Sequence, residues 1–500
     1  MTNSDTAIRE WTSEEIRTLG YRVVDIIARH LTELPTRPVF RPVPLDLQRH
    51  FLDGPLPEEG RPAADVLTEF EETIEPYPFG NGHPGFFGWV NSPPTVIGIF
   101  ADALAAAMNP SCAGGNHAAV YVERQVVNWF RSVYRFPAAS MGLLVSGGSM
   151  ASLTALAAAR HVSAGVDVRA NGLQASDSRL CVYKTREGHG CIQKAIELLG
   201  LGSDNIRIVD HDSQMRMVPS SLEAAIADDR SHGRIPMAVV ASAGTVNSGA
   251  IDPINDLADV CERHGVWLHV DGAYGAPAIL TTRYREELLP LARCDSLALD
   301  PHKWLYVPVE AGLVLIKNGD AMRSAFSLVP PYLRTDGSRT GVGGPPWFSE
   351  YGFQQTRAFR ALKVWMALRH HGLAGYRTAI DRDLSLANRL ADHVRRTPEL
   401  ELFTPSNLSV VCFRYVPASL RANNTINDIN QRLLERLQLN ERAFLSSTVI
   451  DDTVWLRACI VNYRTSDADV DALIDVVMRH GAAVVANQFP SGDPGHAHAL

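Results

Sequence analysis

The chain has 500 residues, 46% of them hydrophobic, which is enough for a large core and for more than one domain. Its 47 basic and 55 acidic residues give a net charge of −8 without a polybasic block, so we expect neither nucleic acid nor a membrane as a partner. The sequence starts without the basic and apolar segments of a secretory signal, and its seven cysteines form no C-x-x-C pair. These features predict a cytoplasmic protein that holds no metal.

An amphipathic helix is predicted near the start of the chain, over residues 12–34. Its apolar residues recur on one face, and Thr12 and Glu15 have the spacing of a capping box. A proline-rich segment, residues 35–44, follows and predicts a stiff, extended connector. A helix with such a strap is typical of a segment that wraps around a partner surface, so we assign residues 1–92 to an N-terminal arm.

The middle of the chain alternates short apolar runs with helical patterns. This order predicts a mostly parallel β-sheet that is covered by helices on both faces. From about residue 372 the pattern changes to strands between long helices, so we expect a large domain over residues 93–372 and a small α/β domain over residues 373–500. The seven strands predicted for the large domain are residues 142–145, 180–183, 206–209, 238–241, 266–270, 297–299 and 313–316.

Small and polar residues follow five of these strands, at the edge where parallel sheets carry their functional sites. In chain order they form a glycine-rich turn that opens a helix, a histidine, a threonine, a carboxylate and a lysine. The residues concerned are Gly148 and Ser149 in the turn, His189, Thr245, Asp271 and Lys303.

Taken singly, each of these residues has an ordinary structural explanation. A glycine turn also serves plain connections, Asp271 could belong to an ion pair or a helix cap, and Lys303 could lay its stem on apolar surface. Together they have a common explanation. A phosphate cradle at a helix N-terminus, a carboxylate that keeps a pyridine nitrogen protonated and a lysine that forms a Schiff base are the parts that hold pyridoxal 5'-phosphate.

Three stretches, "VSGGSMASL", "HVDGAYGAP" and "DPHKW", carry a family resemblance. They resemble the group II pyridoxal-phosphate amino-acid decarboxylases, the family of aromatic-L-amino-acid, histidine and glutamate decarboxylases. The resemblance extends to about residue 480 and implies an α/β protein of fold type I. Such a protein has a cofactor-binding large domain with a mostly parallel seven-stranded sheet, a smaller C-terminal α/β domain and an N-terminal helical arm. It forms a homodimer with active sites at the subunit interface.

The resemblance implies roles around the cofactor ring. Lys303 would be the Schiff-base lysine, and His302 would be its neighbour near the cofactor. Asp271 would pair with the pyridinium nitrogen, and Ala273 would lie against the ring. His189 would stack on the other face of the ring and contact the substrate carboxylate.

Further implied roles concern the phosphate group. Gly148 and Ser149 match the family's phosphate loop, and Thr245 matches a threonine close to the ring. Asp300 stands where several relatives have an asparagine near the phosphate. A carboxylate at that place is unfavourable unless it is protonated or turned away.

The substrate pocket and a lid are also implied by the resemblance. The segment "GHPGFFGWVNSPP" resembles the family's substrate segment, which makes Trp89 and Ser92 candidates for the pocket. Tyr332 matches a tyrosine on a mobile loop that supplies a proton to the reacting carbon. The glycines that follow Tyr332 fit a lid that closes and excludes water.

We therefore predict that the protein decarboxylates an L-amino acid, aromatic or of similar bulk, to the amine and CO2. Ser111 and Ala113 stand where aromatic decarboxylases place bulky apolar residues, so the motifs alone leave the substrate open. One alternative is an aldehyde synthase on the same scaffold, and the presence of Tyr332 favours the decarboxylase. An alternative of another class is a catalytically silent dimeric binding protein, and the filled catalytic positions argue against it.

Overall fold

The computed structural model describes residues 8–176, 178–329, 340–404, 407–420, 425–439 and 442–488. Its first part contains the helices α1 (Ser13–Glu33), α2 (Leu45–Asp53) and α3 (Ala63–Thr73). The predicted capping box of α1 is confirmed, because the Thr12 side chain accepts from the Glu15 backbone and the Glu15 carboxylate accepts from the Thr12 backbone. Two arginines of α1, Arg22 and Arg29, bind Glu71 of α3 and join the two helices.

The predicted seven-stranded, mostly parallel sheet is confirmed. Its spatial order is β1-β7-β6-β5-β4-β2-β3, and only β7 runs antiparallel to its neighbours. The largest difference from the predicted bounds is at β4, which begins three residues early because Ile235 pairs with Leu180. The strands are β1 (Met141–Val145), β2 (Leu180–Lys184), β3 (Ile206–Ile208), β4 (Ile235–Ser242), β5 (Trp267–Asp271), β6 (Ser296–Leu299) and β7 (Gly312–Ile316).

Helices cover both faces of this sheet, so that successive residues of its strands enter two different apolar cores. In β4, Ala238 and Val240 pack into one core, whereas Val239 and Ala241 pack into the other. The helices of this part are α4 (Val96–Met108), α5 (Ala118–Val133), α6 (Gly148–Ser163), α7 (Val168–Asn171), α8 (Cys191–Leu198), α9 (Pro219–Ser231), α10 (Ile254–His264), α11 (Arg285–Leu288) and α12 (Gly319–Phe326).

A second, antiparallel sheet of four strands follows a long helix with a kink at Gly372, whose φ is 63°. Glycine reaches this left-handed conformation without steric strain. The sheet has the order β10-β11-β9-β8 and its own apolar core. The elements are α13 (Ala361–Arg396), β8 (Leu400–Leu402), β9 (Val410–Tyr415), α14 (Ile426–Gln438), β10 (Ser446–Ile450), β11 (Thr453–Cys459) and α15 (Asp467–Gln488).

A buried ion pair closes the outer edge of the large sheet at β1. Arg357 bonds both carboxylate oxygens of Glu123, at 2.5 and 3.2 Å. The other Glu123 contact is the backbone N–H of Leu144, at 3.0 Å, and Arg357 donates to the carbonyl of the same leucine. The pair thus provides hydrogen-bond partners for the backbone N–H and carbonyl of Leu144, which lies on an edge strand just before the glycine turn that follows β1.

None of the helices in the described part of the chain combines the length and apolar character needed to cross a bilayer.

Candidate active site

A cavity of about 500 Å³ opens where the parallel strands end. Its walls come from the loops after β1, β2, β4, β5 and β6, with contributions from residues 89–91 and from β10 and β11. This is the edge at which the sequence predicts the site. Ten of the twelve predicted site residues line it: Trp89, Gly148, Ser149, His189, Thr245, Asp271, Ala273, Asp300, His302 and Lys303.

Asp271 is the last residue of β5 and reaches the cavity because the chain turns sharply behind it. It lies in register with Ser242 of β4 and Ala298 of β6. Its carboxylate accepts the backbone N–H of Ala273 at 3.1 Å, which fixes the side chain at the strand end. A Cβ on the intervening Gly272 would lie 2.7 Å from the Cβ of Ala276, so the turn requires glycine.

The glycine-rich turn after β1 leaves the first turn of α6 open. Helix α6 begins at Gly148, and no side chain caps it within the described residues. A Cβ on Gly148 would lie 3.0 Å from both Ala273 Cβ and Asp300 Oδ2, so a larger residue would intrude at this point. The free N–H groups and the dipole of α6 favour an anion at this place.

Lys303 forms an ion pair within its own loop. Its Nζ lies 3.0 Å from Asp300 Oδ2, and His302 Nε2 lies 3.8 Å from the same oxygen. Burial alone would lower the pKa of Lys303, but the carboxylates of Asp300 and Asp271 outweigh it and raise this pKa above its usual value. Asp300 Oδ1 is buried without a hydrogen-bond partner in the described residues. The ion pair with Lys303 thus offsets the free-energy cost of burying a carboxylate at position 300.

His189 presents one ring nitrogen to the cavity. Its Nδ1 accepts the backbone N–H of Cys191 at 3.1 Å, so the neutral ring carries its proton on Nε2. Desolvation lowers the pKa of His189, and the nearby Asp271 opposes this shift only in part. The ring is therefore neutral at pH 7 and can donate from Nε2.

Thr245 and Ser92 have hydroxyls that are already engaged. Thr245 Oγ1 accepts the backbone N–H of Ala250 at 3.0 Å and lies 3.1 Å from Ser248 Oγ. Ser92 donates to the backbone carbonyl of His302 at 3.0 Å. Ser92 thus supports the loop that carries Lys303 between β6 and β7, residues 300–311, which we call the lysine loop. Ser92 is not among the residues that line the cavity.

Trp89 lies at the rim of the cavity in a cluster of aromatic rings. Its indole stacks on Phe79 with ring centroids 5.4 Å apart, and Phe86 and Phe444 complete the cluster. Tyr332, the remaining predicted site residue, lies outside the described residues.

Arg457, on β11, lines the cavity and was not predicted from the sequence. It donates from Nη1 to the carbonyl of Trp89 at 3.0 Å and from Nε to the carbonyl of Asn247 at 3.3 Å. Its Nη2 is buried without a partner among the described residues. The only sequence signal is one arginine in the apolar strand "VWLRAC", since no motif spacing links it to the lysine loop.

The residues of the cavity fit pyridoxal phosphate. The open first turn of α6 suits the phosphate, and Asp271 suits a protonated ring nitrogen. Lys303 and Arg457 line the same space and bring positive charge to it. Within the described residues no cluster of side chains could hold a metal ion.

Comparisons with known proteins agree with this fit. Residues 44–416 match the model of the pyridoxal-dependent decarboxylase conserved domain. The chain is 36% identical to the aromatic-L-amino-acid decarboxylase of Bacillus atrophaeus, over 93% of this chain and 95% of that protein. It is 26% identical to a phenylacetaldehyde synthase of a Rosa hybrid cultivar, over 95% of each chain. A crystal structure of Oryza sativa TDC with PLP and tryptamine superposes with a TM-score of 0.87 at 25% identity, covering 95% of this chain and 99% of that one.

Proposed function

The chain belongs to the pyridoxal-dependent decarboxylase family, and on this premise we propose that it removes the α-carboxylate of an aromatic L-amino acid in the cavity around Lys303. As a family member it is a pyridoxal-phosphate-dependent carboxy-lyase that acts on an amino acid. One observation carries the proposal for the site. Lys303, Asp271 and the open first turn of α6 all line one cavity of about 500 Å³.

Pyridoxal phosphate, when bound, supplies a conjugated ring that takes up the electron pair left behind by CO2. Lys303 supplies the amine that holds the cofactor between turnovers and that displaces the product. Asp271 keeps a proton on the ring nitrogen, and the N–H groups of Gly148 and Ser149 bind the phosphate. Ala273 offers a small apolar surface against the ring.

Two groups can orient the substrate carboxylate. His189 donates from Nε2, and Arg457 lines the same cavity and brings a positive charge to it. Both are held by backbone atoms, at Cys191 for His189 and at Trp89 and Asn247 for Arg457, so neither needs to reorganise when the substrate enters.

Three observations support an aromatic substrate. The relative with 36% identity is an aromatic-L-amino-acid decarboxylase. The indole of Trp89 lines the cavity, and the rings of Phe79, Phe86 and Phe444 support it from outside. An assay of a panel of L-amino acids for CO2, amine and hydrogen peroxide tests the proposal. We expect aromatic amino acids to give amine and CO2 in equal amounts, and exclusive turnover of acidic amino acids would contradict it.

The same assay separates the decarboxylase from an aldehyde synthase. Tyr332 is proposed to deliver the proton that replaces the carboxylate, a contribution of roughly 10²–10⁴-fold. Tyr332→Phe should slow amine formation and divert part of the flux to aldehyde, ammonia and peroxide. If the unmodified protein already forms mainly aldehyde and peroxide, the synthase is the correct assignment.

The identity of the Schiff-base lysine can be tested directly, because the chain has only five lysines: Lys184, Lys194, Lys303, Lys317 and Lys363. Borohydride reduction of the holoenzyme followed by peptide mapping should place the label on Lys303 alone. The competing amine is Lys184, which is buried and whose Nζ bonds the carbonyl of Gly188 at 3.0 Å, in the His189 loop. A label on Lys184 would contradict the assignment.

We further propose that the protein is a homodimer. Helix α4 exposes an apolar stripe with four-residue spacing, formed by Val96, Phe100, Leu104 and Met108. Leu104→Glu should therefore shift the molecular mass measured by light scattering from that of a dimer toward that of a monomer. Leu198→Glu, at an exposed leucine of α8, is the matched control and should leave the mass unchanged. Equal masses for all three proteins would contradict an interface at α4.

A cytoplasmic location completes the proposal. All seven cysteines are buried and unpaired, which supports a reducing compartment.

A further inference from the structure

A buried carboxylate lies directly behind the lysine loop. Asp383, on α13, is fully buried, and its Oδ2 accepts two hydrogen bonds. One comes from Trp304 Nε1 at 2.8 Å and the other from the hydroxyl of Tyr306 at 2.7 Å. Both donors follow Lys303 in the sequence: Trp304 is the next residue, and Tyr306 is the third residue after the lysine. Both hydrogen bonds of this carboxylate thus go to the lysine loop.

Asp383 is not explained as half of an ion pair. No basic side chain of the described residues lies within salt-bridge distance of it, and its Oδ1 is buried without a partner. The neighbouring Arg382 donates to the backbone carbonyls of Tyr463 and Thr465 instead. Burial raises the pKa of Asp383 to about 7, although the hydrogen bonds from Tyr306 and Trp304, the charge of Arg382 and the backbone of Asn462 oppose the shift. Burying this carboxyl group costs free energy.

The loop that Asp383 holds is backbone-strained. Tyr306 has a φ of 50°, a left-handed conformation that bulky residues rarely adopt. Its N–H donates to the carbonyl of Lys303 at 3.2 Å, and its own carbonyl accepts the N–H of Thr95 at 2.8 Å. The Trp304 ring stacks on Tyr274 with centroids 5.0 Å apart. The carboxylate supplies a fixed point for both aromatic side chains, so the strained turn keeps one conformation.

We propose that Asp383 is a positioning residue for the decarboxylation, which holds Trp304 and Tyr306 and thereby fixes the direction in which Lys303 enters the cavity. The inference rests on the proposed role of Lys303. In the intact loop the Lys303 amine lies beside Asp300, and the ionisable groups around this pair include Asp271, His189, Cys191 and His302. Without Asp383 the loop relaxes and the amine leaves the Asp300 carboxylate.

The chain offers a matched control for this contact. Tyr183 on β2 is also buried, and its hydroxyl donates to the buried Asp229 at 2.7 Å, the same distance as in the pair of Tyr306 and Asp383. Asp229 belongs to α9 and is paired with Arg207 and Arg234, away from the lysine loop. Tyr183→Phe and Tyr306→Phe therefore remove equivalent hydroxyls, one outside and one inside the proposed positioning contact.

The first measurement is the titration of Lys303 in the full chain freed of pyridoxal phosphate. Acetylation by acetic anhydride is followed by mass spectrometry between pH 7 and 12, with the exposed Lys194 as internal reference. Asp383→Leu should lower the midpoint of Lys303 by at least about one pH unit, because burial then acts on the amine without the nearest carboxylate. Asp383→Asn keeps an oxygen acceptor for Trp304 and Tyr306 and should restore a midpoint close to that of the unmodified protein.

The second measurement is steady-state kinetics of the holoenzyme. Asp383→Leu should lower kcat by roughly 10–100-fold with little change in KM, since a displacement of the lysine by about 1 Å is enough for such a loss. Tyr306→Phe should lower kcat by a smaller factor and move the Lys303 midpoint in the same direction. Tyr183→Phe should change neither quantity, although its melting temperature falls.

The proposal is overturned if Asp383→Leu and Tyr306→Phe lower only the melting temperature, as Tyr183→Phe does. If Asp383→Leu does not fold, the comparison of Tyr306→Phe with Tyr183→Phe decides the question. Borohydride labelling of the unmodified holoenzyme is read first. A label on a lysine other than Lys303 would overturn the proposed function, and this inference with it, before any variant is made.

Discussion

Two ion pairs of the described residues, Arg357 with Glu123 and Lys303 with Asp300, differ in how deeply they are buried and in how completely their carboxylates are hydrogen-bonded. In the pair of Arg357 and Glu123, both side chains are at most 1% exposed. Each carboxylate oxygen of Glu123 has a partner, and only Arg357 Nε lacks one among the described residues. In the pair of Lys303 and Asp300, the lysine side chain is 24% exposed, and Asp300 Oδ1 is buried with no partner in the described residues.

The difference fits a structural role for Arg357 and Glu123 and the proposed reactive role for Lys303. Arg357 and Glu123 also bond the backbone of Leu144 and Cys112, so they join four parts of the chain and leave little capacity for a ligand. Lys303 and Asp300 line a cavity of about 500 Å³, and Asp300 Oδ1 has no hydrogen-bond partner among the described residues. Buried polar groups in proteins are normally satisfied, so a cluster of unsatisfied ones at a cavity indicates where a ligand completes the set.

The largest expected effect is the loss of activity in Lys303→Ala. Turnover should fall by at least roughly 10³-fold, because both the attachment of the cofactor and the displacement of the product use this amine. Amine formation is measured by liquid chromatography under cofactor saturation. Lys194→Ala, at an exposed lysine of α8, should retain full activity, and comparable losses in both variants would contradict the assignment.

A large effect of another kind is expected from Arg357→Met. It leaves Glu123 buried without its cation and should lower the free energy of unfolding by about 3–5 kcal/mol. Urea unfolding measures this loss. The double variant Arg357→Met with Glu123→Leu should recover only part of it, because the backbone groups of Leu144 and Cys112 then lose their partners. The exposed pair of Arg389 and Asp471 serves as control, since Arg389→Ala should have little effect. If Arg357→Met and Arg389→Ala lower the free energy of unfolding equally, the buried pair is no more important for stability than the exposed one.

The smallest expected effect concerns Asp300→Asn and depends on pH. The carboxylate of Asp300 raises the pKa of Lys303 against the effect of burial, above the unfolded value of 10.5. The pair therefore stabilises the fold at neutral pH, and this contribution is lost as the pH rises through the pKa of Lys303. We expect Asp300→Asn to lower the free energy of unfolding by about 1–2 kcal/mol at pH 7. The free energy of unfolding of both proteins is measured without cofactor as a function of pH. If the difference between Asp300→Asn and the unmodified protein stays constant above pH 10.5, the ion pair is not the cause of the lost stability.

Local patterns are enough to predict the strands and the site residues that end them. Asp271 and Lys303 follow apolar runs, and the ends of parallel strands meet at one edge, so their proximity follows from the topology. Arg457 and Asp383 belong to a later strand and a long helix, whose own patterns give no reason to bring them to Lys303. Their positions depend on how the second sheet and α13 pack, which no short stretch of sequence encodes.

The contacts of Arg457 bear on which side chains can be exchanged at the rim of the cavity. Its two acceptors are the backbone carbonyls of Trp89 and Asn247, atoms that every amino acid possesses. The contact therefore constrains the path of the chain at these positions and not the identity of their side chains. On the proposed function, substitutions at positions 89 and 247 should therefore alter the side chains at the rim while the guanidinium keeps both backbone acceptors.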